Sequence, residues 1–256
     1  MKYALVIGGS RGLGLATVQK FLSEGIPVIA VHRDFKKDLP EVLEAFQEFE
    51  TFATPFHAIH RDAIRKTESI ITTIKELLGQ TGKIGFLVHS IARGNVKPMV
   101  SETEHASLTP ADFAITGEAM AYNLYTWVHS LEREGLFAAD TRIIAFTSEG
   151  NKRVIPGYGA VAAAKASLEA MVRQIAVEFA HRGIRANCIQ AGVTDTDSLR
   201  QIPGHDRLIE ATLRRNPFKR LTQPSEVANA VYLLCREEAS WITGNVIKAD
   251  GGESLC

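Results

Sequence analysis

Short apolar runs alternate with longer amphipathic segments along this chain, and that alternation leaves it very few folds. The runs at 4–7, 28–31, 86–89, 142–146, 185–189 and 246–249 read as buried strands. Between them, apolar residues recur at helical spacing, as Leu15, Val18, Phe21 and Leu22 do. Strands that alternate with helices build βαβ units, hence a parallel sheet covered by helices on both faces. Right-handed crossovers then make the sheet doubly wound, with ligands at the carboxyl ends of its strands. The 256 residues carry no internal repeat and no Pro/Gly/Ser-rich linker, so residues 1–256 are expected to form one α/β domain. Only the stretch 194–217 breaks the rhythm. It is polar, contains Pro203, Gly204 and Pro217, and carries a helical pattern over 207–214. Following a strand end, it reads as a substrate lid, the alternative being a plain surface excursion.

Charge and cysteine usage narrow the function classes. Lys plus Arg and Asp plus Glu are equal at 29 each, so the basic excess of a nucleic-acid binder is absent. An anionic partner would need a local basic patch. Cys188, Cys235 and Cys256 are odd in number and widely spaced, matching neither a disulfide framework nor a zinc site. They read as reduced thiols of a cytoplasmic protein, and no metal is expected. Met1-Lys2-Tyr3 followed at once by an apolar run is not a secretory signal. No stretch approaches the roughly 20 apolar residues that cross a bilayer. A soluble, intracellular protein is the expectation.

The first run leads into Val6-Ile7-Gly8-Gly9-Ser10-Arg11-Gly12-Leu13-Gly14, after which a helix begins. Glycines there allow a tight turn and let backbone N–H groups approach a pyrophosphate, while the helix end adds its positive dipole. The spacing of Gly8, Gly12 and Gly14 resembles the G-x-x-x-G-x-G turn of the short-chain dehydrogenase/reductase superfamily, and the resemblance runs over the whole chain. It implies a single-domain Rossmann fold. It also implies cofactor contacts from Gly8, Ser10, Arg11, Gly12, Leu13 and Gly14. Asp62 and Ala63, after the third strand, would meet the adenine. Ser90, Ile91 and Ala92 would line the ribose, and Gly192, Val193 and Thr194 the nicotinamide. The second strand ends Val31-His32-Arg33-Asp34. Arg33 and Arg11 together would clamp a 2′-phosphate, which favours NADPH. Asp34, placed to take a ribose hydroxyl instead, keeps NADH open.

Tyr158 and Lys165 stand seven positions apart at the start of an Ala-rich segment. On a continuous helix seven steps return almost to the same face, so both side chains reach one substrate. A nearby ammonium favours the ionised phenol, and the phenol then serves an oxygen that gains charge. A core tyrosine beside an unrelated surface lysine is the bland alternative.

Most of the superfamily carries Tyr-x3-Lys, whereas here Val161 stands four before Lys165. Tyr-x6-Lys resembles the enoyl-[acyl-carrier-protein] reductases. The segments 87–92, 163–170, 183–187 and 249–252 resemble the same subgroup, and Thr194-Asp195-Thr196-Asp197-Ser198-Leu199 resembles its triclosan-tolerant branch. The resemblance implies NADPH-dependent reduction of a trans-2-enoyl thioester in fatty-acid synthesis, with Tyr158 and Lys165 catalytic. Lys165 would also hold the nicotinamide ribose, and Gly94, Tyr158, Leu199 and Ile202 would contact the substrate. It further implies a homotetramer and an acidic acyl carrier protein as partner, for which Arg214, Arg215, Lys219 and Arg220 are the candidate docking patch or else a solvated helix face.

One position departs from the subgroup. Many enoyl reductases place a second tyrosine ten residues before the first, where this chain has Ser148. That serine resembles the one that orients a carbonyl in ketone-reducing relatives, or it simply closes a strand end. Tyr122, Asn123 and Tyr125 fall on a helical segment, where Asn123 resembles the proton-relay asparagine and packing is the alternative role. A 3-oxoacyl or other carbonyl reductase is therefore the second reading, and a non-catalytic nucleotide sensor the third.

Overall fold

In the computed structural model, residues 1–103 and 106–256 are described. Seven parallel strands form one sheet in the order β3-β2-β1-β4-β5-β6-β7. They are β1 (Lys2–Ile7), β2 (Val28–His32), β3 (Phe56–His60), β4 (Lys83–His89), β5 (Phe137–Ser148), β6 (Ile184–Ala191) and β7 (Val246–Ala249). The helices are α1 (Gly12–Ser23), α2 (Leu39–Gln47), α3 (Thr67–Leu78), α4 (Pro110–Gly117), α5 (Asn123–Arg133), α6 (Gly159–Glu178), α7 (Asp197–Arg200), α8 (His205–Arg215) and α9 (Pro224–Cys235). All six runs read as strands lie in strands, and the lid helix expected over 207–214 lies within α8. β3 falls just before Asp62, on one edge of the sheet.

Two apolar layers sandwich the sheet because side chains alternate along each strand. Leu5, Ile7, Ile143 and Ala145 pack with Ile70 and Ile74 of α3, Leu124 and Trp127 of α5, and Leu168 and Val172 of α6. Ala4, Val6, Val88 and Ile144 face the other way, against Val18 and Phe21 of α1 and Val227 and Val231 of α9. Strand order reverses between β1 and β4, so helices diverge there and a crevice opens at the strands' carboxyl ends.

One helix joint matters for the site. α4 passes into α5 through a π-helical turn, Glu118–Tyr122. Beyond it Asn123 is fully buried, and both its Nδ2 and Trp127 Nε1 donate to the Ala63 carbonyl at 3.1 Å. α4 begins with a capping box, Thr109 accepting from the Asp112 amide while the Asp112 carboxylate accepts from Thr109 N–H. No described helix is long and apolar enough to cross a membrane.

Trp127 is the largest fully buried side chain. Trp127→Ala is expected to cost about 3–5 kcal/mol, read as a lower urea midpoint at unchanged slope. Trp127→Phe should cost less, since Asn123 still serves the Ala63 carbonyl.

Candidate active site

At the reversal point, β1 ends in the glycine turn. A β-carbon at Gly14 would lie 1.9 Å from the Gly8 carbonyl oxygen, and one at Gly8 would lie 2.6 Å from the Ser90 oxygen. Only glycine lets the start of α1 close onto β1 and β4 this tightly. A cleft of about 800 Å³ opens beside the turn. Gly8, Ser10, Arg11, Gly12 and Leu13 line one wall; Arg33, Asp62 and Ala63 line a second; Ser90, Ile91 and Ala92 line a third. Gly14 packs behind the turn. A channel of this size, ending on a helix N-terminus and floored by glycine backbone, fits a dinucleotide.

The two arginines expected to clamp a 2′-phosphate line this cleft, but carboxylates already hold them. Arg33 donates to Asp62 Oδ2 at 2.9 Å, and Arg11 donates to Asp34, Glu41 and Asp197. Burial works to raise the Asp62 pKa, yet the Ile64 and Arg65 amides and the Arg33 charge outweigh it and hold the carboxyl below the usual range.

Tyr158 immediately precedes α6 instead of lying inside it. Its carbonyl accepts the first-turn bond from Ala162 N–H at 2.8 Å, so it keeps helical register with Lys165. Its ring packs against Gly150, where a β-carbon would come within 2.6 Å of Cε1. Lys165 is buried, and its Nζ donates to the Phe146 carbonyl at 2.7 Å. Burial pushes the lysine down to about 8. Burial also pushes the Tyr158 phenol up, with the Ser148 hydroxyl beside it working the other way. The expected depression of the phenol by Lys165 is therefore not found: the ammonium is turned to the end of β5, and desolvation dominates at the tyrosine.

Ser148 is the last residue of β5. Its Oγ accepts from Gly150 N–H at 3.1 Å while the residue also lines the substrate side, so it closes the strand end and faces the site at once. Glu169, one turn after Lys165, accepts from Thr147 and Asn151 and ties this corner to α6. Beneath Lys165, His89 is buried and driven down to about 3, first by burial and then by the lysine's charge, so it stays neutral. Tyr122 and Tyr125 are exposed at 49% and 47%, which makes neither a substitute for the missing second tyrosine.

A second cleft, about 500 Å³ and mostly apolar, joins the first at Leu13, Ala92, Phe146, Lys165 and Thr196. Gly94, Met120, Tyr158 and Val161 form its wall, and Leu199 and Ile202 close it from the 194–217 stretch. Gly94 is tightly packed in that wall, since a β-carbon there would lie 2.8 Å from Thr116 and 2.9 Å from Val161. The stretch read as a lid thus covers the apolar side.

Val193 and Arg215 are both held by contacts within the protein. Val193 lies in the wall, but its N–H donates to Glu253 Oε2 and its carbonyl accepts from Thr222 N–H, both at 3.0 Å. Its peptide groups are paired within the protein, and both its side chain and Thr194 line the apolar cleft. Arg215 is no docking residue. Only 12% of its side chain is exposed, and it donates to both Glu149 and Glu253. These bonds staple the end of α8 to the end of β5 and to the chain terminus. Arg220 is paired with Glu226 and Arg214 with Glu210, which offsets much of the expected basic patch, while Lys219, whose Nζ donates to the Arg214 carbonyl, keeps its charge.

Sequence reasoning missed three contributors. Thr196 caps α7, lines both clefts and packs its methyl toward Gly12. The hydroxyl before Asp197-Ser198-Leu199 was a readable helix-start signal. Asp197 and Glu253 gave none, because their partners lie 186 and 60 residues away. Among the described residues no cluster of metal-binding side chains occurs, and all three cysteines are free.

Lys165 is cationic below about pH 8 and neutral above it. A step that needs the ammonium should lose kcat/KM as pH rises through that value, and a profile flat across it would show that the charge is not used. Removing the staple is a separate matter. Arg215→Met strands two carboxylates, one of them almost fully buried, and is expected to cost about 3–5 kcal/mol in urea unfolding, with Arg215→Lys recovering part.

A family model described as Enoyl-(Acyl carrier protein) reductase matches residues 7–254. The tropinone reductase homolog of Datura stramonium is 28% identical over 98% of this chain and 91% of its own length. The 1-cyclohexenylcarbonyl-CoA reductase of Streptomyces collinus is 27% identical over 98% of this chain and 86% of its own. Among solved structures, enoyl-[acyl-carrier-protein] reductase (NADH) from Aquifex aeolicus VF5 shares the fold, with a TM-score of 0.85 at 24% identity over 100% of this chain and 97% of that one. With a match running from the last residue of β1 almost to the chain's end, over both clefts and the Tyr158–Lys165 corner, this chain belongs to the enoyl-(acyl carrier protein) reductase family of the short-chain dehydrogenase/reductase superfamily of NAD(P)H-dependent oxidoreductases.

Proposed function

We propose that this protein is an NADPH-dependent enoyl-[acyl-carrier-protein] reductase. The observation that carries the reading is the meeting of the two clefts at Lys165, with Tyr158 on the apolar side and six residues between them. NADPH, when bound, supplies a hydride, which adds to C3 of a trans-2-enoyl thioester. Tyr158 donates a hydrogen bond to the thioester oxygen as it becomes an enolate, and a proton then reaches C2. Desolvation keeps the phenol protonated, as that role requires. Lys165 holds positive charge at the junction and binds the nicotinamide ribose. Met120, Val161, Leu199 and Ile202 give an acyl chain apolar contact and exclude water. Arg11 and Arg33 line the far end of the dinucleotide cleft, and exchanging their carboxylate partners for a phosphate would favour NADPH over NADH.

An acyl carrier protein, cytoplasmic location and homotetrameric assembly belong to the same reading. Arg153 and Arg207, exposed members of the apolar cleft's lining, are better placed than Arg215 to meet an acidic carrier. Ser148 beside Tyr158 favours one second reading, a 3-oxoacyl or other carbonyl reductase.

NADPH oxidation followed with crotonyl and acetoacetyl thioesters in parallel, each repeated with NADH, separates the two. Turnover of the enoyl substrate is expected, lowered about 10²–10⁴-fold in Tyr158→Phe and little changed in Ser148→Ala. Preference for the keto substrate, lost in Ser148→Ala, would establish the carbonyl reductase instead.

A further inference from the structure

Arg11 sits at the hinge between the glycine turn and α1, and its guanidinium reaches three separate elements. Nε donates to Asp34 at the end of β2 at 3.2 Å, Nη2 to Glu41 on α2 at 3.3 Å, and Nη1 to Asp197 on α7 at 2.8 Å. The shortest of the three is the one to the lid. A second contact supports the same junction, for Thr196, the cap of α7, brings its methyl to within 3.3 Å of where a β-carbon on Gly12 would stand.

The three carboxylates are not equally able to leave. Asp34 has 7% side-chain exposure and is also held by His32 Nδ1 at 2.7 Å. Glu41 is 77% exposed on a long side chain. Asp197 is 52% exposed on a four-residue helix that continues directly into Leu199 and Ile202 of the apolar cleft. A dianionic phosphate arriving at Arg11 competes with all three, but only displacement of Asp197 reaches the substrate side. Arg33, bonded to Asp62, lends no spare charge until that pair opens.

We propose that Asp197 is a cofactor-sensing specificity residue: it competes with the 2′-phosphate of NADPH for Arg11, so that the phosphate frees α7 from the glycine turn. NADH, lacking the phosphate, leaves the tether in place. The lid is thereby informed which dinucleotide is bound, and Asp197 lowers the preference for NADPH that Arg11 creates. This inference rests on the NADPH reading above.

Dissociation constants of NADPH and NADH, measured by titration calorimetry on the full chain, test it in the wild type, Asp197→Asn, Arg11→Ala and the double variant. Asp197→Asn is expected to tighten NADPH about three- to fivefold, the strength of one exposed ion pair, and to leave NADH unchanged. In the Arg11→Ala background the same substitution should do nothing. Hydrogen exchange gives an independent readout: adenosine 2′,5′-bisphosphate, which fills the adenosine end without a nicotinamide, should speed exchange at residues 197–200, and AMP should not. An equal shift for both dinucleotides, or no effect of the bisphosphate, overturns the proposal while wild-type preference for NADPH stands. Equal wild-type affinities, with Arg11→Ala weakening both alike, overturn the NADPH reading itself and the proposal with it.

Discussion

The carbonyl oxygen of Gly8 and the α-carbon of Gly14 approach so closely that no methyl group fits between them, and a second contact presses Gly8 onto the backbone of Ser90. This steric condition locks three things together: the end of β1, the first turn of α1 and the end of β4. Because strand order reverses at that junction, the locked corner also opens the crevice in which the dinucleotide cleft lies. The positive end of α1 points into the cleft for the same reason. Much of the binding geometry follows from the absence of two side-chain atoms.

From that corner the site is assembled by long-range polar contacts that each join separate elements. Lys165 of α6 is fixed on the end of β5 through the Phe146 carbonyl, and Glu169 repeats the connection through Thr147 and Asn151. Glu253, at the chain's end, reaches both Val193 and Arg215, and so connects the terminus with the strand end after β6 and with α8. Burying these charges is unfavourable unless each finds a hydrogen-bond or ion-pair partner, and each of these does. The lid is anchored at both ends, by Arg11 at α7 and by Glu149 and Glu253 at α8, while its middle carries the apolar side chains.

How much of this could be read from the chain depends on the range of the interaction. The strands at 4–7 and 28–31 were legible because both faces are buried and the runs are unbroken. β3 was harder to delimit: as an edge strand, Phe56-His57-Ala58-Ile59-His60 buries only Ile59 fully. The glycine turn and the Tyr158–Lys165 spacing are local and were legible in full. Arg11 and Arg33 line the cleft, but the acids that hold them, Asp34, Glu41, Asp62 and Asp197, all lie 23 or more residues from their arginine. Arg215 looked like a free surface charge because its partners lie 66 and 38 residues away. Val193 was placed in the wall, yet the commitment of its peptide groups to Glu253 and Thr222 has no local signature.

The π-helical turn at Glu118–Tyr122 lies between two contacts that hold the site. Ahead of it, Thr116 of α4 accepts from Asn95 N–H at 3.1 Å and so fixes the loop that forms the substrate wall; behind it, Asn123 and Trp127 of α5 grip Ala63 beside the adenine end. A helix turns about 100° per residue. A π-turn closes one residue later than an α-turn, so deleting one residue from it would restore ordinary α-helix and leave both grips close to their present phase. The extra residue is thus taken up inside the turn, and the substrate wall and the adenine end keep the alignment that an uninterrupted helix would give them.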